Sequence, residues 1–370
     1  MRILFLIDSL RSGGAERQMV ELVKGLIGNG HEIHLICLEK AHQGYSEILE
    51  SIGIAPAYCT RSNRFDLLGP VLGIADYISK KNIELVHTFN NLGSLAGALA
   101  AKWRRKPVVC SAIRDGKDKG WKYKYSVLML DRIADVLVAN SQAGFASRFS
   151  SMKPHRRVVY NGVDFSRFDC ANGDATIARE EIGLERFSHL IGMTATLSTF
   201  KDHDTFIESV PAVLREFPNA GFLCIGDGPR RGALQRKVRS LGLDGQVLFL
   251  GFRADVDQIQ RVLDVSVLLS NADLHEEGIS NSLLEAMALG IPVVASRGGG
   301  TEELVRHGDT GILVTPKSSN ETSDAILNLL HDDKKRNNMG LAARLYVRKQ
   351  FNLQKYCSEY EMIYNFLVKG

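Results

Sequence analysis

The sequence predicts an α/β chain of two doubly wound, parallel-sheet domains, and three observations carry that prediction. The chain has 370 residues, about twice the ~100–200 of a usual domain. Short apolar runs alternate with segments of helical period, as in right-handed βαβ units that bury a parallel sheet between helices. The alternation then restarts after residues 165–187, which carry little apolar periodicity and read as a connector.

The first domain opens with an apolar run, Ile3 to Ile7, suited to a buried strand and broken by Ser12-Gly13-Gly14. Ala15 to Leu26 follows with Met19, Leu22, Val23 and Leu26 at helical spacing, ending near Gly28 and Gly30. Further strands are predicted at Ile33–Leu38, Ile83–His87, Val108–Cys110 and Val136–Ala139. In the second domain they fall at Leu190–Met193, Phe222–Ile225, Val247–Leu250, Val265–Leu269, Pro292–Ala295 and Ile312–Val314. Helices are predicted at Asp204–Phe217 and Ser282–Leu289. The last segment, Leu353 to Leu367, places Tyr356, Tyr360, Ile363, Tyr364 and Leu367 on one helical face.

Composition narrows the function. Apolar residues make up 45% and charged residues 24%, a globular mix rather than a disordered one. No apolar stretch approaches the ~18 residues of a membrane-spanning helix, and the N-terminal apolar run is too short for a secretory signal. A cytoplasmic protein is expected. The six cysteines (Cys37, Cys59, Cys110, Cys170, Cys224, Cys357) show no CxxC pair, which argues against structural zinc or a disulfide scaffold. Residues 1–164 hold 23 Lys and Arg against 15 Asp and Glu, whereas the remainder holds 23 against 27. A basic half can attract phosphates, nucleic acid or an anionic membrane, but no nucleic-acid motif accompanies it. The first loop and Gly226-Asp227-Gly228-Pro229 both lack GxGxxG and GxxxxGK[ST], which argues against a nicotinamide dehydrogenase or a P-loop NTPase.

The stretch from Glu276 to Ser296 says most about chemistry. A carboxylate, Glu277, precedes a helix whose first N–H groups, around Ile279 to Leu283, would form an anion site. Glu285 lies inside that helix. A nucleotide-sugar, with phosphates between hydroxyl-bearing ends, has a matching shape. A plainer alternative stands beside it: Ser282-x-x-Glu285 is also a capping box that only satisfies backbone N–H groups.

Glu277 and Glu285 stand in an E-x7-E spacing, followed by Leu284-Glu285-Ala286-Met287-Ala288 and Pro292-Val293-Val294-Ala295-Ser296. With them go Gly299-Gly300-Thr301-Glu302-Glu303, Gly13-Gly14-Ala15-Glu16, Asn161-Gly162-Val163-Asp164 and Gly226-Asp227-Gly228-Pro229. In these motifs, spread over nearly the whole chain, the sequence resembles the retaining glycosyltransferases of family 4. The resemblance implies the GT-B fold, two Rossmann-like doubly wound domains facing a cleft. Residues 1–164 would bind the acceptor and 165–352 the nucleotide-sugar, with 353–370 forming a C-terminal helix that packs back toward the first domain.

Roles follow from the resemblance residue by residue. Glu277 would accept hydrogen bonds from the donor sugar hydroxyls, and charged acceptors make the stronger bonds of this kind. Glu285 would bind the ribose hydroxyls. Gly278, Ile279, Ser280, Asn281, Ser282 and Leu283 would offer backbone N–H groups to sugar and phosphate. Gly13 and Gly14 would let the first loop approach the pyrophosphate without a Cβ in the way. Lys201 would stabilise the departing diphosphate, making Lys201 and Glu277 the catalytic pair. Gly226, Phe252 and Arg253 would lie near the base. Two departures stand out: Thr196 occupies a position where members usually carry Arg, and Ser111-Ala112-Ile113-Arg114-Asp115 lacks the family's His. Arg114 would either serve the anion or be a surface charge.

The implied reaction is sugar transfer from a nucleoside-diphosphate sugar, UDP ahead of GDP, with no cofactor and no metal. The acceptor would be a saccharide or a lipid-linked saccharide in bacterial surface polysaccharide, lipopolysaccharide or capsule assembly. A non-catalytic nucleotide-sugar-binding subunit and a nucleotide-sugar epimerase of the same fold are the alternatives. Lys117, Lys119, Lys122 and Lys124 with Trp121, Tyr123 and Tyr125 form either a contact for anionic membrane at the cytoplasmic face of the inner membrane or a solvated face. His87 would be either a substrate contact or a hydrogen-bonded structural histidine.

Overall fold

Runs such as Ile3-Leu4-Phe5-Leu6-Ile7 are apolar at every position because both faces of a parallel strand are covered. The computed structural model describes every residue except 12, 41–43, 61–65, 67, 117–119, 170–178, 181–182, 254 and 370, and the side chains of 91, 92 and 122 are also outside it. The chain divides into two units, Met1–Gly162 with Leu353–Gly370, and Val163–Asn352.

The first unit holds a seven-stranded parallel sheet: β1 (Arg2–Ile7), β2 (Glu32–Cys37), β3 (Ala57–Tyr58), β4 (Leu85–Phe89), β5 (Val108–Ile113), β6 (Val136–Ala139) and β7 (Arg156–Val158), in the order β3-β2-β1-β4-β5-β6-β7. The edge strands β3 and β7 were not predicted. They are two and three residues long, and an edge strand needs no continuous apolar run. The predicted strand Ile83–His87 begins two residues later than expected, after Asn82 turns the chain with φ 50°.

On one face of this sheet the helices Gly14–Gly28 and Leu353–Lys369 pack together. The second of these buries Tyr356, Tyr360, Ile363 and Tyr364 of the stripe read from the sequence, and Leu367, its fifth member, is partly buried. Gly162 must be glycine here, because a Cβ would lie 2.6 Å from the Cβ of Tyr356. Gln18 holds the same residue through its backbone, donating to Gly162 O and accepting from Gly162 N, each at 2.9 Å.

The second unit holds a six-stranded parallel sheet: β8 (His189–Thr194), β9 (Ala220–Ile225), β10 (Val247–Gly251), β11 (Val265–Leu268), β12 (Val293–Ser296) and β13 (Gly311–Val314), in the order β10-β9-β8-β11-β12-β13. All six were anticipated within a few residues. The helix His203–Glu216 starts where Asp202 caps it, accepting from Thr205 N at 3.2 Å. In each sheet the strand order reverses direction once, between β1 and β4 and between β8 and β11. Ligands in open α/β sheets bind outside the carboxyl ends of the strands at such switch points. No helix among the described residues is long and apolar enough to cross a membrane.

Candidate active site

Three loops follow β8, β9 and β10 at the carboxyl edge of the second sheet, and backbone bonds lock them together. Ala195 N donates to Ile225 O, Leu197 N to Asp227 O and Gly226 N to Gly251 O, at 2.9–3.0 Å. The approach is close enough to exclude side chains. Gly226 has φ 132°, with its missing Cβ aimed at the Ala195 carbonyl, and a Cβ on Gly228 would lie 2.5 Å from Leu197 O. That packing accounts physically for the Gly-x-Gly pattern.

At the β8/β11 switch point, the segments after these two strands zip together. Asp202 N donates to Leu269 O and Asn271 N to Phe200 O, both at 2.9 Å, while Lys201 and Ser270 form an isolated antiparallel bridge. This pairing brings Lys201 to Glu277 across 76 residues of sequence, and the ammonium donates to Glu277 Oε1. Ser270 Oγ donates to the same oxygen at 2.5 Å, and His275 Nε2 lies 3.2 Å from it. The Glu277 side chain is only 11% exposed. Burial alone would raise its pKa, but the Lys201 ammonium and the His275 hydrogen bond outweigh burial and hold the carboxyl well below the usual range. It is an ionised, triply held carboxylate.

The Glu277 loop is supported from behind by Gly299-Gly300-Thr301. Gly300 N donates to Glu277 O at 2.7 Å. A Cβ on Gly300 would lie 2.5 Å from the Gly278 carbonyl carbon, so only glycine fits. Ser270 is fixed in turn by its own N–H, which donates to Ser296 Oγ at 3.0 Å. The long motif from Glu276 to Thr301 is thus one packed unit around a carboxylate.

The helix after Glu277 runs Asn281–Ala288 with Ser280 at its N-cap. Its first intrahelical bond is Leu284 N to Ser280 O, at 3.1 Å. Ser282 therefore lies inside the helix, and the capping-box alternative is corrected: Glu285 is not the partner of an N-cap Ser282. Glu285 is buried, and Arg167 Nη1 stands 3.9 Å from its Oε1. Arg167 also donates to Asp257. Ile279 and Leu283 point into the core, so only their backbones can face a ligand.

Thr196 is exposed, and Phe252 is 61% exposed beyond β10. Arg253 is ion-paired with Asp255 through bonds of 2.8 and 2.6 Å. Gly13 and Gly14 belong to the first unit, at the start of the helix after β1, with Glu16 folded against Gly13. Glu16 is buried, which raises its pKa, and it accepts from Asn90 Nδ2 at 3.2 Å. Arg114 is half-buried and donates to Asn161 Oδ1 at 2.9 Å, so it is not a bare surface charge.

His87 is fully buried within β4, where Nδ1 meets Tyr364 Oη at 2.6 Å and Nε2 meets Ser111 Oγ at 2.8 Å. Of its two alternatives, the structural one holds. Lys117 and Lys119 and the side chain of Lys122 lie outside the described residues, as does Cys170. Trp121 is 77% exposed, whereas Tyr123 is half-buried and donates to Ala112 O at 2.9 Å. No group of three His, Cys, Asp or Glu side chains among the described residues could hold a metal ion.

Sequence reasoning missed Ser270, His275 and Arg167. His275 stands two residues before Glu277, and Arg167 three after the Asn161-to-Asp164 motif. Their positions were visible, but their contacts depend on loop pairing that no local pattern reports.

Two parallel-sheet units of this kind are the GT-B architecture. A crystal structure of Anabaena Alr3699/HepE in complex with UDP-glucose has the same fold, with TM-score 0.88 and 24% identity over 99% of this chain and 100% of that one. In sequence, the family description "Glycosyltransferase Family 4" matches residues 12–167, and "Glycosyl transferases group 1" matches 188–332. The chain belongs to glycosyltransferase family 4 and is a glycosyltransferase. Among its relatives is N-acetyl-alpha-D-glucosaminyl L-malate synthase of Bacillus anthracis, 28% identical over 95% of this chain and 93% of the relative. Another is UDP-Gal:alpha-D-GlcNAc-diphosphoundecaprenol alpha-1,3-galactosyltransferase of Escherichia coli, 24% identical over the same shares.

Proposed function

We propose that this chain moves a sugar, with retention of anomeric configuration, from a nucleoside-diphosphate donor to a hydroxyl acceptor. The donor is held on Val163–Asn352 and the acceptor, a saccharide or lipid-linked saccharide, on the other unit. One observation carries this reading: an ionised, largely buried carboxylate, Glu277, paired with Lys201 at the switch point of the second sheet. A fixed anionic acceptor beside a cation suits a ligand that presents both hydroxyls and phosphate.

In the reaction, the acceptor oxygen forms a bond to the anomeric carbon as the bond from that carbon to the diphosphate oxygen breaks. The bonding pair leaves with the phosphate oxygen, which takes the acceptor's proton. Lys201 and the amides at the start of helix Asn281–Ala288 offset the growing negative charge. Glu277 orients the sugar through its hydroxyls, and Glu285 holds the ribose. No metal is required by this scheme. UDP is put ahead of GDP as the carrier because UDP-Gal stands in the name of the E. coli relative, which matches 95% of this chain. The E. coli name also supports a lipid-linked acceptor of the kind used in bacterial surface glycan assembly. The exposed Trp121 and the nearby lysines are the proposed contact with an anionic membrane.

A panel of UDP- and GDP-sugars, with and without lipid-diphosphate saccharides, tests the reading. Released nucleoside diphosphate with an extended acceptor is expected. Donor binding without release would make the chain a non-catalytic binding subunit, and an isomerised sugar would make it an epimerase. In the same panel, Glu285→Ala is expected to weaken binding of free nucleoside diphosphate roughly tenfold, the loss of a charge-assisted hydrogen bond. Unchanged affinity in calorimetry would return Glu285 to a purely structural role.

A further inference from the structure

His275 is used by none of the roles above, yet it sits against the carboxylate on which they depend. Its Nε2 is 3.2 Å from Glu277 Oε1. An ionised carboxylate only accepts, so this ring nitrogen carries the hydrogen. The ring is buried and tilted against Phe200, with centroids 5.6 Å apart. Its backbone is held as well, His275 N donating to Asn271 O at 2.8 Å while Asn271 N donates to Phe200 O at 2.9 Å. The histidine is therefore fixed by the same loop pairing that delivers Lys201.

The hydrogen bonds from Lys201 and Ser270 and the approach of His275 all converge on one oxygen, Oε1. A carboxylate gripped at one oxygen from three directions cannot rotate about its terminal torsion without breaking all three contacts. Its second oxygen, Oε2, then has a set direction. We propose that His275 is a positioning residue of the transfer reaction: by donating to Oε1 it fixes Glu277 so that Oε2 receives a hydroxyl of the donor sugar. The inference rests on the reading of Glu277 as a sugar ligand. Orientation matters most where charge develops on the sugar, so losing the third anchor acts on turnover more than on donor binding.

The test compares His275→Ala, His275→Asn and His275→Gln for nucleotide release across the UDP- and GDP-sugar panel, with thermal melting of each variant. Glutamine can bring an amide N–H to the place of Nε2, whereas the shorter asparagine cannot. His275→Ala and His275→Asn are expected to lower kcat about 10- to 100-fold, the scale of a small misplacement of a reacting group, with KM changed less than about threefold. His275→Gln is expected to recover most of that loss. Equal kcat in all three variants and the wild type, or losses that follow melting temperature rather than the amide, would overturn the positioning role. A wild type that releases nucleotide from no donor would instead remove the underlying reading, and this inference with it.

Discussion

Each unit contains a polar cluster built around one titratable side chain, and the two clusters are organised on opposite principles. In the first unit His87 joins Tyr364 and Ser111, and Ser111 joins Tyr360 at 2.8 Å. Every member is buried, and the rings of Phe5, Phe89 and Tyr360 lie 5.1, 4.6 and 4.8 Å from the imidazole. Burial pushes the His87 pKa well below its ordinary 6.5, with the Arg114 charge adding to the effect. The cluster is neutral and closed. In the second unit Glu277 is charged and sits at the edge of the sheet, with Lys201 18% exposed beside it. A neutral, satisfied network rigidifies a core, here fastening the last helix to β4 and β5. A charged cluster at a strand edge offers electrostatics to a ligand instead. Burial alone does not separate structure from chemistry; the presence of net ionic groups at the carboxyl edge does.

Breaking the second cluster has the largest expected effect. Lys201→Ala is expected to lower kcat about 10²- to 10³-fold, as for removal of one group stabilising a developing charge, and to weaken donor binding much less. Steady-state turnover set against calorimetric affinity for free nucleoside diphosphate checks this. Equal losses in the two would mean that Lys201 only binds.

Breaking the first cluster is expected to do the reverse. His87→Ala leaves the hydroxyls of Tyr364 and Ser111 without their partner and opens a cavity, for a loss of about 3 kcal/mol in stability. Turnover per folded molecule is expected to be unchanged. A variant of normal stability with impaired turnover would transfer His87 to the chemistry.

Acidification sharpens the same contrast more gently. His87 must be neutral when folded, so its contribution is complete above pH ~6.5 and is lost as pH falls below that unfolded value toward the depressed folded one. The slope is about 1.4 kcal/mol per pH unit for one proton. His203, buried at the start of its helix and pushed down to about 4, acts with the same sign. Chemical denaturation from pH 7.5 to 5 is expected to show this fall, with His87→Ala removing one proton's share of it. An identical slope in the variant would mean that His87 takes up its proton alike in the folded and unfolded chain, so that burial does not lower its pKa.

Long, two-face-buried strands such as Ile3–Ile7 and Phe222–Ile225 were legible because a covered parallel strand is apolar throughout. β3 and β7 were not, because edge strands carry no such run. Within the site, Glu277, Lys201 and the glycine loops were readable as motifs, and the structure adds the packing reason for Gly226, Gly228 and Gly300. Ser270 and His275 were not readable. Their meaning arises only when the segments after β8 and β11 pair, a contact between residues some 70 apart in sequence. The capping box shows the converse risk: Ser282-x-x-Glu285 fits the pattern, but the helix begins two residues too early for it.

On the proposed function, the carboxylate held by Lys201, Ser270 and His275 performs chemistry rather than stabilising the fold. Glu277→Gln separates the two roles, since it keeps the shape and removes the charge. Nucleotide release from the UDP- and GDP-sugar panel, measured beside the melting temperature, is expected to fall at least about 100-fold, the scale of losing one preorganised electrostatic contact, while the protein stays folded. A Glu277→Gln variant that releases nucleotide at the wild-type rate would contradict the claim.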